Sequence, residues 1–194
     1  LKILAIIHQY KKELKESIQV GSLGVLNASN INYDKNIQNY FKKNDARAKE
    51  IIEIFEKKEF KLMDIWPNLK AITTWTGGSC SLLIPTLKAQ LSTQTKIVEL
   101  GYLSSEFRGS ITVDTINNIC IPPLEESFFE FVEKDNWENN VPTYLTLEEI
   151  KKEKQYYILA TTQNGLYRYF INDIIKVTDF YNKTPIIQFV QKGK

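Results

Sequence analysis

Leu69-Lys-Ala-Ile-Thr-Thr-Trp75 leads through Thr76-Gly-Gly-Ser79 into a segment where Leu83, Leu87 and Leu91 recur at intervals of four, and Lys96-Ile-Val-Glu-Leu100 follows. This succession decides the fold class. The first run is short and rich in β-formers. With the turn signal Trp66-Pro67-Asn68 before it and a glycine pair after it, it reads as a strand closing in a tight turn. The leucine spacing is that of a helix, with Pro85 tolerated only in its first turn. Lys96 to Leu100 is a second β-like run. Strand, helix, strand is a parallel crossover, and in such units ligands bind in the crevice outside the carboxyl ends of the strands. The Thr76 to Ser79 loop and the loop Tyr102-Leu-Ser-Ser-Glu106 both fall there.

Upstream, Asp45 is a candidate helix N-cap, after which Ala48, Ile51, Ile52 and Phe55 recur at spacings of three and four. That helix is expected to end near Lys58 to Phe60. Downstream of Arg108 the texture changes to short β-like runs at 110–115, 118–121, 127–132, 156–162, 167–170, 174–178 and 185–190, a mainly antiparallel region. Between them 133–154 is polar and charged, with a helical turn expected from Leu147 to Lys152. The expected architecture is α/β, with a parallel crossover layer within residues 1–108 and a mainly antiparallel β region over 109–194 of the same domain. No internal repeat or low-complexity segment interrupts it.

Bulk properties narrow the function. The 194 residues are 43% apolar and 12% aromatic, ample for a folded core. The 25 basic and 23 acidic residues are mixed along the chain, and their net charge of +2 argues against nucleic acid as a partner. The apolar run Leu1 to Ile7 is broken by Lys2 and followed by His8, Lys11 and Lys12, far short of the ~20 residues of a membrane span. No membrane partner and no signal peptide are expected. Cys80 and Cys120 show no metal spacing and are expected to be reduced thiols of a cytoplasmic protein. The chain begins with Leu and stops just after a strand-like run, so it reads as an internal fragment.

Several residues are suited to chemistry. Mg²⁺ takes hard oxygen ligands, one or two carboxylates completed by phosphates and water, and Glu106 on a loop leaving a parallel strand is such a ligand. Ser104 and Ser105 add donors for a phosphate, and Tyr102 an aromatic face for a purine. Ser-Ser-Glu is equally a helix cap or a turn. Asp173 is the second candidate, because a carboxylate accepting from two ribose hydroxyls fixes a nucleoside. Its other reading is a turn aspartate between Phe170 and Ile174. Arg168 either pairs with an acid for structure or reaches an anion bidentately. Gly77 and Gly78 either let backbone approach a ligand closely, with Ser79 as a donor, or form a plain tight turn. His8 stands apart from any catalytic constellation and reads as structural or exposed. Trp66 and Trp75 are expected in the core, Trp75 close enough to the glycine loop to border a pocket.

From Phe60 onward these segments resemble, in order, the acyl acid amido synthetases, the plant auxin-responsive Gretchen Hagen family of the adenylate-forming superfamily. Ile65-Trp-Pro-Asn-Leu69 is similar to the family's Trp-Pro-Asn-Leu lead into a strand, and Trp75-Thr-Gly-Gly78 to the glycine loop that lies against adenine. Tyr102 to Glu106 resembles the Tyr-x-Ser-Ser-Glu loop whose Glu faces Mg²⁺, and Phe128-Phe-Glu-Phe131 the Tyr-Phe-Glu-Phe strand. Gly165-Leu-Tyr-Arg-Tyr169 with Asp173, continuing through Val177-Thr178, Phe180-Tyr-Asn182 and Pro185, resembles the stretch that holds the ribose-binding Asp and runs to the hinge.

The resemblance implies the later part of the large amino-terminal region of an adenylate-forming enzyme, with ATP and Mg²⁺ as cofactors. A carboxylic acid would be activated as an acyl-adenylate and passed to an amino acid. It implies Glu106 and Arg168 as catalytic residues and Glu106 as the metal ligand. Asp173 would hold the ribose, Gly77, Gly78, Ser79 and Tyr102 the adenine, and Ser104 and Ser105 the phosphate side. Catalysis would rest on orientation and charge compensation rather than a protein nucleophile. Asn172 stands where the family has Gly and Phe170 where Arg is often found, departures that bear on local turn geometry and on one phosphate or ribose contact. Lys192 or a neighbour replaces the hinge Arg. Before Phe60 there is no Ser/Thr/Gly-rich phosphate loop, Val20-Gly-Ser-Leu-Gly24 being too short and lacking the basic residue, and the carboxy-terminal domain that the resemblance implies is not among these 194 residues. The chain alone is therefore expected not to turn over. The rival readings are a related acid-activating ligase with a thiol acceptor, and a degenerate, non-catalytic nucleotide-binding or interaction module.

Overall fold

The computed structural model describes residues 2–23 and 39–194; Gly24, the last residue of the short glycine segment, lies outside the described residues. The chain forms two compact units, one of Leu1–Leu69 with Thr86–Gln94, the other of Lys70–Pro85 with Thr95–Lys194. None of the described helices is long and apolar enough to cross a membrane.

The first unit is helical: α1 (Lys2–Gln9), α2 (Lys11–Val20), α3 (Asp45–Glu56) and the single turn α4 (Leu62–Ile65). The helical spacing in α3 brings Ile51, Ile54 and Phe55 onto one face, where they cluster with Ile7 and Ile65 while the intervening charges stay outside. Asn44, not Asp45, is the N-cap of α3. Its side-chain oxygen accepts from the Arg47 N–H at 2.9 Å, which leaves Asp45 in the first turn, where a negative charge complements the helix dipole. The helix stops at Glu56, short of the expected Lys58 to Phe60. His8 is exposed and stacks on Phe60 at 6.1 Å, a structural contact.

In the second unit, β1 (Ala71–Thr74) and β2 (Lys96–Glu99) pair in parallel from Ala71↔Lys96 to Thr74↔Glu99, so their carboxyl ends finish side by side. The connection is not one long helix. A 3₁₀ helix (Gly78–Leu83) passes into α5 (Ile84–Lys88), with Pro85 in the first turn of α5. Pro85 lacks the N–H that an α-helical ladder through Ser81 needs, so the segment before it tightens and a new helix begins. A hairpin follows, β3 (Ile111–Asp114) and β4 (Ile119–Ile121), whose turn is closed by the Asp114 carboxylate accepting from the N–H groups of Ile116 and Asn117 at 2.7 and 3.1 Å.

The last four strands, β5 (Ser127–Glu133), β6 (Gln155–Thr162), β7 (Tyr169–Tyr181) and β8 (Thr184–Lys192), form an antiparallel sheet in chain order. Alternation along β5 and β6 sends Phe129, Phe131, Ile158 and Ala160 to one face, where they bury with Tyr102 and Phe107 from the loop after β2. That shared core anchors the loop to the sheet. Of the expected run 167–170 only Tyr169 and Phe170 are strand, and they are continuous with 174–178 in one β7. The helix α6 (Lys134–Glu138) lies in a stretch whose polar sequence gave no helix signal, and the helical turn expected from Leu147 to Lys152 is only a turn in which Thr146 donates its N–H and hydroxyl to Glu149 at 2.7 and 2.8 Å.

Neither Trp66 nor Trp75 is in the core; they are 41% and 46% exposed. Trp66 caps α4, and Trp75 donates its indole N–H to the Gly101 carbonyl at 3.0 Å, which holds the ring at a loop wall. Trp137 of α6 instead covers the other face of the sheet, stacked on Phe170 at 4.3 Å and tilted on Tyr157 at 5.4 Å. Trp137→Ala is expected to lower stability by ~2 kcal/mol through these lost ring contacts. The check is a lowered urea midpoint at unchanged slope.

Candidate active site

The loops leaving β1 and β2 meet the middle of β7 and the end of β8 around a cleft of about 420 Å³ within the second unit. Glu99, the last residue of β2, ties the two loops together. Its carboxylate accepts from the Thr76 N–H at 2.7 Å, from the Thr76 hydroxyl and from the Gly101 N–H at 3.0 Å. In the sequence Glu99 is one polar member of a strand. Its signal is an acid at the carboxyl end of a parallel strand, beside loop N–H groups that need acceptors.

The glycine pair permits a close approach, and the partner is β8. A Cβ on Gly77 would lie 3.0 Å from the Phe189 carbonyl, and one on Gly78, where φ is +53°, 3.1 Å from the Phe189 ring. The loop thereby seals against β8 while Gly77 and Ser79 face the cleft.

Asp173 is no turn residue. It lies within β7, 4% exposed, and reaches the cleft through a bulge. Leu159 of β6 pairs with Phe170 and Tyr157 with Ile174, so Ile171, Asn172 and Asp173 occupy a span where β6 has only Ile158. The surplus aims Ile171 and Asp173 together at the cleft, with Asn172 at φ +62° absorbing the kink. Asn is among the few non-glycine residues that adopt this left-handed conformation readily, so the departure from Gly preserves the local geometry. Phe170 pairs directly with Leu159, on the face opposite Ile158, and stacks on Trp137. Its departure from Arg alters packing behind the sheet and adds nothing to the cleft wall.

The Asp173 carboxylate has two protein partners. The Tyr102 hydroxyl donates to Oδ2 at 2.6 Å, and the Lys192 ammonium lies 2.7 Å from Oδ1 while donating to the Ile171 carbonyl at 3.1 Å. The contact to Oδ1 is ionic but not aligned as a hydrogen bond, which leaves that buried oxygen without a hydrogen-bond donor. Tyr102 differs from the expected purine platform. Its ring is 6% exposed, stacked on Phe189 and edge-on to Phe107, each at 5.8 Å. What it contributes is its hydroxyl, whose pKa is driven far above the ordinary value by burial and then by the Asp173 carboxylate.

Glu106 is exposed at the mouth and accepts from the Tyr169 hydroxyl at 3.3 Å. Ser104 is committed to the turn, its hydroxyl donating to the Phe107 carbonyl at 2.9 Å and accepting from the Phe107 N–H at 3.1 Å, whereas Ser105 is exposed in the cleft wall. Arg168 is elsewhere. It grips Glu130 with two bonds of 2.8 and 2.9 Å and lies over the Tyr144 ring at 4.3 Å, so the geometry matches the pairing alternative rather than an anion contact. Cys120 also borders the cleft, with its thiol pKa pushed up chiefly by burial.

Among the described residues lining the cleft, Lys192 is the one cation facing three carboxylates, Glu99, Glu106 and Asp173. Such a surface repels a bare polyphosphate and suits one that arrives with a divalent cation. Mg²⁺ needs only one or two protein carboxylates when phosphates complete its shell. Glu106 is accessible for that role, and Asp173 Oδ1 has acceptor capacity for a hydroxyl. The donor set fits a nucleotide with its metal.

Residues 1–97 match the GH3 family N-terminal domain and residues 120–192 the GH3 family central domain. The 4-substituted benzoates-glutamate ligase GH3.12 of Arabidopsis thaliana is 31% identical over 153 residues, covering 75% of this chain and 26% of that protein. The indole-3-acetic acid-amido synthetase GH3.17 of the same plant is 28% identical over 99% of this chain and 35% of its own length. The solved structure of the GH3.15 acyl acid amido synthetase superposes with a TM-score of 0.80 at 24% identity, over 100% of this chain and 35% of that one, and establishes the shared α/β fold. The chain thus spans between about a quarter and about a third of the length of the relatives it matches. With half its length under one family domain and most of the remainder under a second, the chain belongs to the GH3 family.

Proposed function

We propose that this chain is the nucleotide-holding part of an ATP-dependent acyl acid amido synthetase, which adenylates a carboxylic acid and passes the acyl group to the amine of an amino acid. The observation that carries the reading is the convergence of Glu106 and Asp173, from motifs far apart in sequence, on one cleft that also holds a single ammonium. The names of the relatives, a 4-substituted benzoates-glutamate ligase and an indole-3-acetic acid-amido synthetase, agree with it.

When bound, ATP supplies the α-phosphorus to be attacked and Mg²⁺ offsets the charge that develops there. Asp173 accepts from the ribose hydroxyls, and Glu106 with Ser105 serves the metal and phosphate side. Gly77 and Ser79 present backbone near the base, and Lys192 supplies the positive charge that the cleft otherwise lacks. Ile171, Ile187 and Trp75 give the wall apolar surface that keeps water out. The work is positioning and charge compensation in a partly dry site. Burial pushes the Cys120 thiol pKa up, which argues against Cys120 as a nucleophile. Both cysteines are free, which suits the reducing cytoplasm.

The test is ATP–pyrophosphate exchange by the complete gene product across a panel of carboxylic acids, with and without Mg²⁺. Exchange that requires both the metal and one class of acid is expected. A folded protein that exchanges with no acid would leave a non-catalytic module as the better description.

A further inference from the structure

The two motifs at the cleft are tied by a reciprocal pair of bonds. Tyr102 opens the first motif and donates to Asp173 of the second at 2.6 Å; Tyr169 of the second donates back to Glu106, which closes the first, at 3.3 Å. Each motif thus supplies one carboxylate and the hydroxyl that holds the other motif's carboxylate. We infer that Tyr169 and Tyr102 are positioning residues, Tyr169 aiming Glu106 at the metal and Tyr102 aiming Asp173 at the ribose. The inference rests on the nucleotide reading above.

Glu106 sits on an exposed loop, where a glutamate side chain would otherwise sample many rotamers. Among the described residues, the Tyr169 hydroxyl is its one hydrogen-bond donor. Tyr169 begins β7 and pairs with Ala160 of β6, so this donor is carried by the sheet. Tyr102 is fixed more firmly, its ring held by Phe189 and Phe107 and its backbone N–H donating to the Ser110 hydroxyl at 2.8 Å. Each tyrosine occupies one carboxylate oxygen, Oε1 of Glu106 and Oδ2 of Asp173, which leaves Oε2 and, beside its ion pair with Lys192, Oδ1 to accept from a ligand. Fixing a ligating carboxylate through its other oxygen is the usual work of an outer-shell partner, whose removal weakens metal binding roughly 10–100-fold.

The experiment uses the complete gene product in acid-dependent ATP–pyrophosphate exchange. Tyr169→Phe keeps the ring and removes the hydroxyl. It is expected to raise the Mg²⁺ concentration for half-maximal rate roughly 10-fold, with the rate largely recovered at saturating metal and the melting temperature unchanged. Tyr102→Phe is expected to shrink the preference for ATP over 2′-deoxyATP in kcat/KM by roughly 10-fold, the scale of one hydrogen bond to a charged group. A Tyr169→Phe protein with wild-type Mg²⁺ dependence overturns the inference, whether or not Tyr102→Phe folds. A wild-type protein that fails to exchange overturns the nucleotide reading itself and the inference with it.

Discussion

Asp173→Asn in the complete gene product is expected to lower kcat/KM for ATP in acid-dependent pyrophosphate exchange by roughly 100-fold. A hydrogen bond to a charged acceptor contributes about 1.5–3 kcal/mol, and each 1.36 kcal/mol is a factor of ten in rate. Two such bonds total about 3–6 kcal/mol, roughly two to four decades, and the loss is expected at the lower end because asparagine still offers an oxygen acceptor. Asparagine is the informative substitution because it keeps the shape of the side chain and the oxygen that accepts from Tyr102. Alanine would leave the Tyr102 hydroxyl buried with no acceptor, costing ~1–3 kcal/mol of folding, and would mix the two effects. Folding should tolerate the lost charge, since the Lys192 side chain is 63% exposed and can turn to water. An Asp173→Asn protein with wild-type kcat/KM for ATP would remove Asp173 from the nucleotide site.

How far the site was legible follows from the range of the forces that build it. The two parallel strands of the crossover were legible because their signals are local, a β-rich run, a glycine pair and a second run, whereas the leucine period did not mark one helix: Leu83 ends the 3₁₀ helix and Leu91 lies beyond α5. Asp173 had two readings from sequence, and what separates them is a register mismatch between β6 and β7, one residue against three, which no local pattern records. The same holds for Arg168, whose partner Glu130 lies on a strand far away in sequence. Helix α6 was missed because its one large apolar residue, Trp137, finds its contacts on β6 and β7 rather than within its own segment. Tyr102 was read for its ring because aromatic faces suit purines, and only packing reveals that Phe189 and Phe107 claim the ring and leave the hydroxyl to act. The departures at 170 and 172 were visible from the start, but their consequences were not. One lies behind the sheet and the other adopts the left-handed backbone that the bulge requires.

Gly109→Ala is expected to cost ~2–3 kcal/mol of stability, as overpacking of a filled core does, and to depress nucleotide use along with it. A Cβ at this position would lie 2.0 Å from Cδ1 and 2.5 Å from Cε1 of Tyr102, far inside contact distance. The backbone cannot give way easily, because the N–H groups of Gly109 and Ser110 both donate to the Tyr102 carbonyl, at 2.8 and 2.9 Å. Nor can the ring, which is stacked on Phe189 and braced by Phe107. The strain resolves by driving Tyr102 out of place, and its hydroxyl leaves Asp173 as it goes. The single methyl thus reaches the Asp173 carboxylate without touching it, and preference for ATP over 2′-deoxyATP is expected to fall as it does in Tyr102→Phe. A double-mutant cycle separates this route from general disruption. With Tyr102→Ala as the background the ring is gone, and Gly109→Ala should then cost little in melting temperature. A cost that persists undiminished there would mean that the clash with Tyr102 is not what makes this position require glycine.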